Sequence, residues 1–118
     1  MHNETAAGLI QKKCVPCEGG VPRVTGAEAE RLRAAVPEWR FTHDGTRIRR
    51  DFTFPDFRAA VKFVNNVAAV AEKEQHHPDL HLERYRTAWI EIFTHAIGGL
   101  SENDFILAAK IDALRGPG

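Results

Sequence analysis

The chain has 118 residues, of which 43% are hydrophobic and 27% charged, as in an ordinary globular domain. Sixteen basic residues balance sixteen acidic ones, so no overall positive field draws the chain directly onto nucleic acid or an anionic membrane. The start of the chain lacks the apolar core of a secretory signal and no window reaches the length of a membrane span, so a cytoplasmic protein is expected.

The N-terminal segment, residues 1–24, mixes Gly, Pro, Cys and charged residues without a hydrophobic period. It is predicted to form a loosely ordered arm ahead of a domain that spans residues 25–118. The arm carries the CxxC motif of Cys14 and Cys17, and a zinc site there would need two further ligands. The candidates for these ligands are His2 and His43. Ordinary reduced thiols are favoured, and no metal is expected.

A first helix is predicted after this arm. Thr25 is followed three residues later by Glu28, which matches a capping box for the first backbone N–H groups of a helix. Apolar residues then recur at helical spacing, and Pro37 ends the run because it has no N–H to donate. The apolar residues are Leu32, Ala35 and Val36.

A β-hairpin is predicted next, in the sequence WRFTHDGTRIRRDFTF. The Asp44-Gly45 pair predicts a two-residue turn of type I′, which needs positive φ at both positions. Apolar residues alternate on both sides of this turn, as expected for half-buried strands. They are Trp39 and Phe41 before the turn, and Ile48, Phe52 and Phe54 after it.

The longest helix is predicted to begin at Pro55-Asp56. Apolar residues recur three and four positions apart along it, which is typical of a helix that buries one face. The predicted buried stripe comprises Phe57, Ala60, Val61, Val64, Val67, Ala68 and Ala71. This helix must pack its stripe against a sheet, and its end brings the chain to His76.

Alternating residues after Pro78 predict two more strands, joined near residues 84–87. Ser101 with Asp104 then predicts the N-cap of a last helix. The element order α-β-β-α-β-β-α indicates a single α+β domain in which helices pack on one face of a four-stranded antiparallel sheet. Trp89 is expected to point away from the helices, and such an uncovered apolar face favours self-association.

Three of the six histidines, His76, His77 and His81, lie within six positions, and His95 follows the last predicted strand. A metal site is disfavoured because Pro78 removes the helical geometry that would bring His77 and His81 onto one face. Ends of helices and strands meet at clefts, where imidazoles that titrate near neutral pH suit proton transfer. A histidine at a helix end also commonly partners the helix dipole. The residues alone therefore leave His76 and His77 open between proton transfer and a structural role, and favour a structural role for His81.

The histidines belong to a longer spaced pattern, E-x3-HHP-x6-Y-x9-H-x8-D. The residues that form it are Glu72, His76, His77, Pro78, Tyr85, His95 and Asp104. This pattern resembles that of the pterin-4a-carbinolamine dehydratases, also called 4a-hydroxytetrahydrobiopterin dehydratases. The stretches DFTFPDFRAAVKFVNNVA and THAIGGLSENDFILAAKID add to the resemblance, which runs over about residues 24–114 and also touches the segment KKCVPCEGG near the start of the chain.

The resemblance implies a cofactor-free lyase that dehydrates 4a-hydroxytetrahydrobiopterin to quinonoid dihydrobiopterin in tetrahydrobiopterin recycling. It implies His76 and His95 as the acid and the base, in an order left open, and His77 as a catalytic residue that also holds the pterin. Tyr85 and Asp104 are interpreted as structural. The residues implied to bind the substrate or support the histidines are Glu72, Pro78, Thr94, Ala96 and Ile97.

The resemblance also implies partners. A homodimer or homotetramer is expected, with a small pterin as the ligand. The alternative function is that of a protein partner, because one family member is a dimerisation cofactor of a homeodomain transcription factor. Related bacterial and plant proteins assist assembly of the carbon-fixing enzyme Rubisco.

Overall fold

The computed structural model describes residues 4–16 and 21–115 of the chain. The elements in chain order are α1 (Ala6–Ile10), α2 (Gly26–Ala34), β1 (Arg40–Thr42), β2 (Arg47–Thr53), α3 (Phe57–Glu74), β3 (Asp79–Glu83), β4 (Thr87–Ile92), a 3₁₀ turn (His95–Ile97) and α4 (Glu102–Ala113). The strands form one sheet in the order β1-β2-β4-β3, and each neighbouring pair is antiparallel. The predicted α+β fold is therefore confirmed.

Side chains on the two central strands divide the sheet into a buried face and an outer face. Ile48 on β2 and Ile90 on β4 are fully buried and pack in one core with side chains from α2, α3 and α4. On the outer face, the half-buried ring of Trp89 is stacked on His81 at 3.5 Å between centroids, and the Arg49 guanidinium lies 3.8 Å from the Trp89 centroid. The outer face is thus partly covered by its own side chains.

The connection between β1 and β2 differs from the predicted two-residue turn. Thr42 pairs with Arg47, so four residues, 43–46, form the loop, and φ is positive at His43, Asp44 and Gly45. The reason is the register: Ile48 is buried opposite Ile92 of β4, and a slip of one residue would turn it to the outer face. The burial of β2 therefore decides where the hairpin closes.

Helix α3 begins where predicted, but its buried face is rotated. The Asp56 side chain caps the helix by accepting a hydrogen bond from the Ala59 N–H at 2.8 Å. Phe57 is 54% exposed and Ala68 is exposed, although both were expected in the buried stripe. Phe63 is buried in their place, with its ring 4.7 Å from Phe52 and 5.0 Å from Phe54. The aromatic residues at the end of β2 and just after it thus select the face that α3 buries.

Residues 4–16 are more ordered than the predicted loose arm. Thr5 caps α1 by accepting from the Gly8 N–H at 3.0 Å, and Leu9 is completely buried in the core. Cys14 is also buried, and its backbone N–H donates to Glu74 on α3 at 2.9 Å. The division of the chain at residue 24 stays a prediction.

Two smaller expectations concern the same end of the chain. Cys17 and His2 lie outside the described residues, and the described ones contain no group of three or more side chains that could hold a metal ion. Thr25 is the N-cap residue of α2 as predicted, but its side chain makes no capping hydrogen bond, so the capping box with Glu28 does not form.

Within residues 4–16 and 21–115, the helices are too short or too polar to span a bilayer.

Glu74, in the last turn of α3, is a buried carboxylate with two partners. Its Oε2 accepts from Lys110 Nζ on α4 at 2.8 Å, and its Oε1 accepts from the Cys14 N–H at 2.9 Å. Burial opposes ionisation, yet these hydrogen bonds and the Lys110 charge together lower the pKa of Glu74 below its ordinary value. Glu74 therefore joins α3, α4 and the N-terminal segment as an ionised group.

We expect Phe63→Ala to lower the free energy of unfolding by about 3 kcal/mol, because it leaves a cavity among packed aromatic rings. The matched variant Phe57→Ala, on the exposed side of the same helix, should lower it by no more than about 0.5 kcal/mol. Urea denaturation of both variants measures the difference. Equal losses would show that the face assigned to α3 is wrong.

The pH dependence of stability tests the ionised state of Glu74. A lowered pKa means that the stabilisation is complete above about pH 4.5, the ordinary value, and disappears as pH falls through the folded-state value. Glu74→Gln should therefore lower the free energy of unfolding by about 2 kcal/mol at pH 7, and by progressively less below pH 4.5. Glu30→Gln, which removes an exposed pair with Arg33, serves as the control. A loss that is the same at pH 7 and pH 3.5 would contradict this assignment.

Candidate functional site

The way in which α3 ends gives the adjacent residues His76 and His77 different surroundings. Gln75 ends the helix in the left-handed conformation at φ 54°, and the N–H of His76 bonds back to the Ala71 carbonyl at 3.2 Å. Pro78 prevents the helix from resuming. His76 consequently points into the protein and is 6% exposed, whereas the side chain of His77 is 57% exposed.

The segment after β4 brings His95 to the same corner. The N–H of Thr94 donates to the Gly99 carbonyl at 2.8 Å, which closes residues 95–98 into a tight loop containing the 3₁₀ turn. Gly98 has a φ of 61°, the left-handed conformation that glycine adopts most readily. His95 is exposed at the start of this turn, with its ring 4.0 Å from that of Phe93.

These two segments enclose a cavity of about 170 Å³. It is lined by Gln75, His76, His77, Phe93, Thr94, His95 and Ala96. The three histidines predicted as catalytic therefore meet at one cavity, together with Thr94 and Ala96 of the predicted binding residues. The other predicted binding residues, Glu72, Pro78 and Ile97, are not among those that line it.

Two carboxylates contact the histidines of the cavity. Glu72 Oε2 lies 2.5 Å from His77 Nε2, and both side chains are more than half exposed. Asp104 Oδ1 lies 2.6 Å from His76 Nε2, and both side chains are buried. Solvent and salt screen the first pair far more than the second. The geometry of His76 is therefore the more firmly fixed of the two.

Asp104 is held on both of its oxygens. While Oδ1 faces His76, Oδ2 accepts from the Thr94 hydroxyl at 2.9 Å and from the Ser101 N–H at 2.8 Å. The predicted N-cap of α4 is thus confirmed, since the bond to the Ser101 N–H is half of a capping box. A carboxylate can only accept, so His76 carries a proton on Nε2, and in the neutral ring Nδ1 is the basic nitrogen.

The contact between Asp104 and His76 was missed by the interpretation of Asp104 as structural. The predicted N-cap was the signal available in the sequence. A capping carboxylate uses one oxygen for the cap, so the other oxygen of Asp104 can contact a second side chain. Tyr85, also interpreted as structural, is 60% exposed in the loop between β3 and β4 and does not line the cavity.

A larger cavity of about 430 Å³ lies between the start of α2 and the β1–β2 loop. Its charged groups are Arg23 and Asp44, and the described residues that line it include no histidine. Volume alone would favour this cavity as the binding site. The smaller one is the better candidate for catalysis because it holds paired acid–base groups.

Comparisons with known sequences point to one family. A family model described as pterin 4 alpha carbinolamine dehydratase matches residues 22–114. A protein of Rubrobacter xylanophilus is 49% identical over 106 residues, which cover 90% of this chain and 97% of that one. A protein of Halorhodospira halophila is 52% identical over 106 residues, or 90% of this chain and 96% of that one. Both carry pterin-4-alpha-carbinolamine dehydratase as a provisional name.

Solved structures give the same result. A transcriptional coactivator/pterin dehydratase from Brucella melitensis superposes with a TM-score of 0.75 at 32% identity, over 80% of this chain and all of that one. A pterin dehydratase-like protein, identified as a RuBisCO assembly factor in the alpha-carboxysome, superposes with a TM-score of 0.58 at 24% identity. That alignment covers 69% of this chain and 93% of the other, and it shows the shared fold alone. By the family model and the two close relatives, the chain belongs to the pterin 4 alpha carbinolamine dehydratase family.

Proposed function

We propose that the protein is a lyase that removes water from 4a-hydroxytetrahydrobiopterin and releases quinonoid dihydrobiopterin. Membership of the dehydratase family supports this reaction class. The observation that carries the proposal is the cavity at which His76, His77 and His95 meet, because the family's chemistry requires groups that move protons.

The proposed reaction consists of two proton transfers and one bond cleavage. A proton is delivered to the C4a hydroxyl, the C4a–O bond breaks, and water leaves. A base removes the proton from N5, and the electron pair of that N–H bond forms the new N5=C4a double bond. Oxidation states balance without an external oxidant or reductant, so the step calls only for an acid and a base.

The surroundings of the histidines suggest how the two tasks are divided. The Asp104 carboxylate holds His76 with its proton on Nε2 and leaves Nδ1 as the basic nitrogen, which favours His76 as the base that takes the N5 proton. His95 is exposed at the same cavity and would be the acid that protonates the hydroxyl. His77, paired with Glu72, would hold the pterin.

Alanine substitutions test these roles. We expect His76→Ala and His95→Ala each to reduce kcat at least tenfold, since positioned acid–base catalysis contributes about 10²–10⁴-fold. His81→Ala is the matched control, because His81 lies on the outer face of the sheet, stacked on Trp89. The measurement is the dehydration rate of 4a-hydroxytetrahydrobiopterin, with circular dichroism to verify folding. Full rate in both variants would rule out the assignment.

Asp104→Asn tests whether Asp104 orients His76. The amide oxygen is needed by the Thr94 hydroxyl and the Ser101 N–H, so the amide NH₂ would face His76 Nε2. The ring would then have to accept at Nε2 and carry its proton on Nδ1, which leaves it without its basic nitrogen. We expect kcat to fall at least tenfold while KM stays within about twofold, as for other histidines held in the wrong tautomer. Unchanged kcat in the folded variant would limit Asp104 to capping α4.

The second candidate function is that of a protein-assembly or coactivator partner. It is supported by the descriptions of the two solved structures, one as a transcriptional coactivator/pterin dehydratase and one as a RuBisCO assembly factor. The dehydration assay separates the two functions. A folded protein that does not accelerate dehydration above the uncatalysed rate would favour the partner role.

A further inference from the structure

We propose that the N-terminal strap, residues 12–15, is a positioning element that holds His76 and Asp104 at hydrogen-bonding distance. The strap lies outside residues 22–114, the part that matches the family model. The strap forms hydrogen bonds with Asn103, which directly precedes Asp104, and with Glu74, which lies two residues before His76. The kinetic part of the inference rests on the proposed lyase function, but the structural part does not.

The first attachment is to Asn103, the residue immediately before Asp104. Its side-chain oxygen accepts from the Val15 N–H at 3.0 Å, and its side-chain NH₂ donates to the Val15 carbonyl at 2.9 Å. The Cys14 thiol donates to the Asn103 carbonyl at 3.5 Å. Asn103 is 2% exposed, whereas Val15 is 53% exposed, so these bonds are shielded from competing water on the Asn103 side. The strap is thereby fixed to the first turn of α4.

The second attachment is to Glu74, two residues before His76. The Cys14 N–H donates to Glu74, whose other oxygen accepts from Lys110 on α4. The strap therefore bridges the last turn of α3 and the first turn of α4. These are the two helix ends whose separation sets the distance between His76 and Asp104.

Arg23 and Val24 make similar contacts with the loop that carries His95 and with the residue just after it. Arg23 donates to the Gly98 carbonyl at 2.5 Å, and the Val24 N–H donates to the Leu100 carbonyl at 2.9 Å. Both acceptors belong to the segment that follows His95. The N-terminal part of the chain thus contacts the supports of His76 and His95 from outside the cavity.

A short hydrogen bond between a side chain just beyond the end of one helix and a side chain on another helix is sensitive to the separation of those helices. A displacement of about 1 Å in a catalytic group can reduce a rate about 100-fold, and residues behind a site commonly prevent such displacement. Release of the strap is therefore expected to affect kcat more than the binding of substrate.

Asn103→Ala is the test, because it removes both bonds to Val15 without touching His76 or Asp104. Asn65→Ala, at an exposed position on α3, is the matched control. NMR measures solvent exchange of the Val15 amide proton, which reports release of the strap, and of the His76 Nε2–H proton, which reports the buried pair. We expect both to exchange at least tenfold faster in Asn103→Ala and to be unchanged in Asn65→Ala.

The kinetic expectation is a fall of at least threefold in kcat with KM within about twofold of wild type. If Asn103→Ala does not fold, Asn103→Asp provides the same test, since it keeps the acceptor for the Val15 N–H but sets an oxygen against the Val15 carbonyl. Exchange of the His76 Nε2–H that stays at the wild-type rate after the strap is released overturns the proposal. So does unchanged exchange of the Val15 amide. Faster exchange at both sites in a protein whose wild type lacks dehydratase activity supports the positioning role and rejects the lyase.

Discussion

The hydrogen bond between His76 and Asp104 joins the fold to the candidate site. A buried carboxylate is unfavourable unless its oxygens are satisfied, and Asp104 meets this condition with donors from His76, Thr94 and Ser101. Its place in the first turn of α4 adds the favourable field of the helix N-terminus. One side chain therefore caps a helix, anchors the segment before that helix and orients an imidazole.

Other buried polar side chains are hydrogen-bonded as completely as Asp104. Across residues 4–16 and 21–115, every buried side-chain nitrogen or oxygen has a hydrogen-bond partner. The polar groups nearest the cavity are connected through Thr94, whose hydroxyl contacts both Ser101 and Asp104. By contrast, the Glu72–His77 pair is exposed and can adjust when a ligand binds. The site thus combines a fixed buried pair with an adaptable exposed one.

Local signals in the sequence predicted the elements well but not their exact faces. Asp56 and Ser101 marked the helix starts, because a capping residue acts within four positions of itself. The buried face of α3 could not be selected in this way, since Phe57 and Phe63 both lie in an apolar helical pattern. Only contact with Phe52, from a strand, distinguishes them.

The histidines of the candidate site were predicted from the sequence, whereas the residues that hold them in place were not. The strap contacts residues 60 to 90 positions away through backbone groups and single side chains, which leave no periodic pattern in the sequence. The contact between Asp104 and His76 spans 28 positions and uses an oxygen that the cap leaves available. Long-range polar contacts of this kind become visible only when the chain is folded.

The two tryptophans occupy opposite surroundings, and this gives the protein two separate optical reporters. Trp39 is sealed in the interior and donates its indole N–H to Asp112, so its emission depends on the integrity of the folded core. Trp89 lies against the His81 ring and the Arg49 guanidinium at the sheet surface, so its emission depends on the contacts made on that face. Global melting and local events on the sheet can consequently be followed in one cuvette without an added dye.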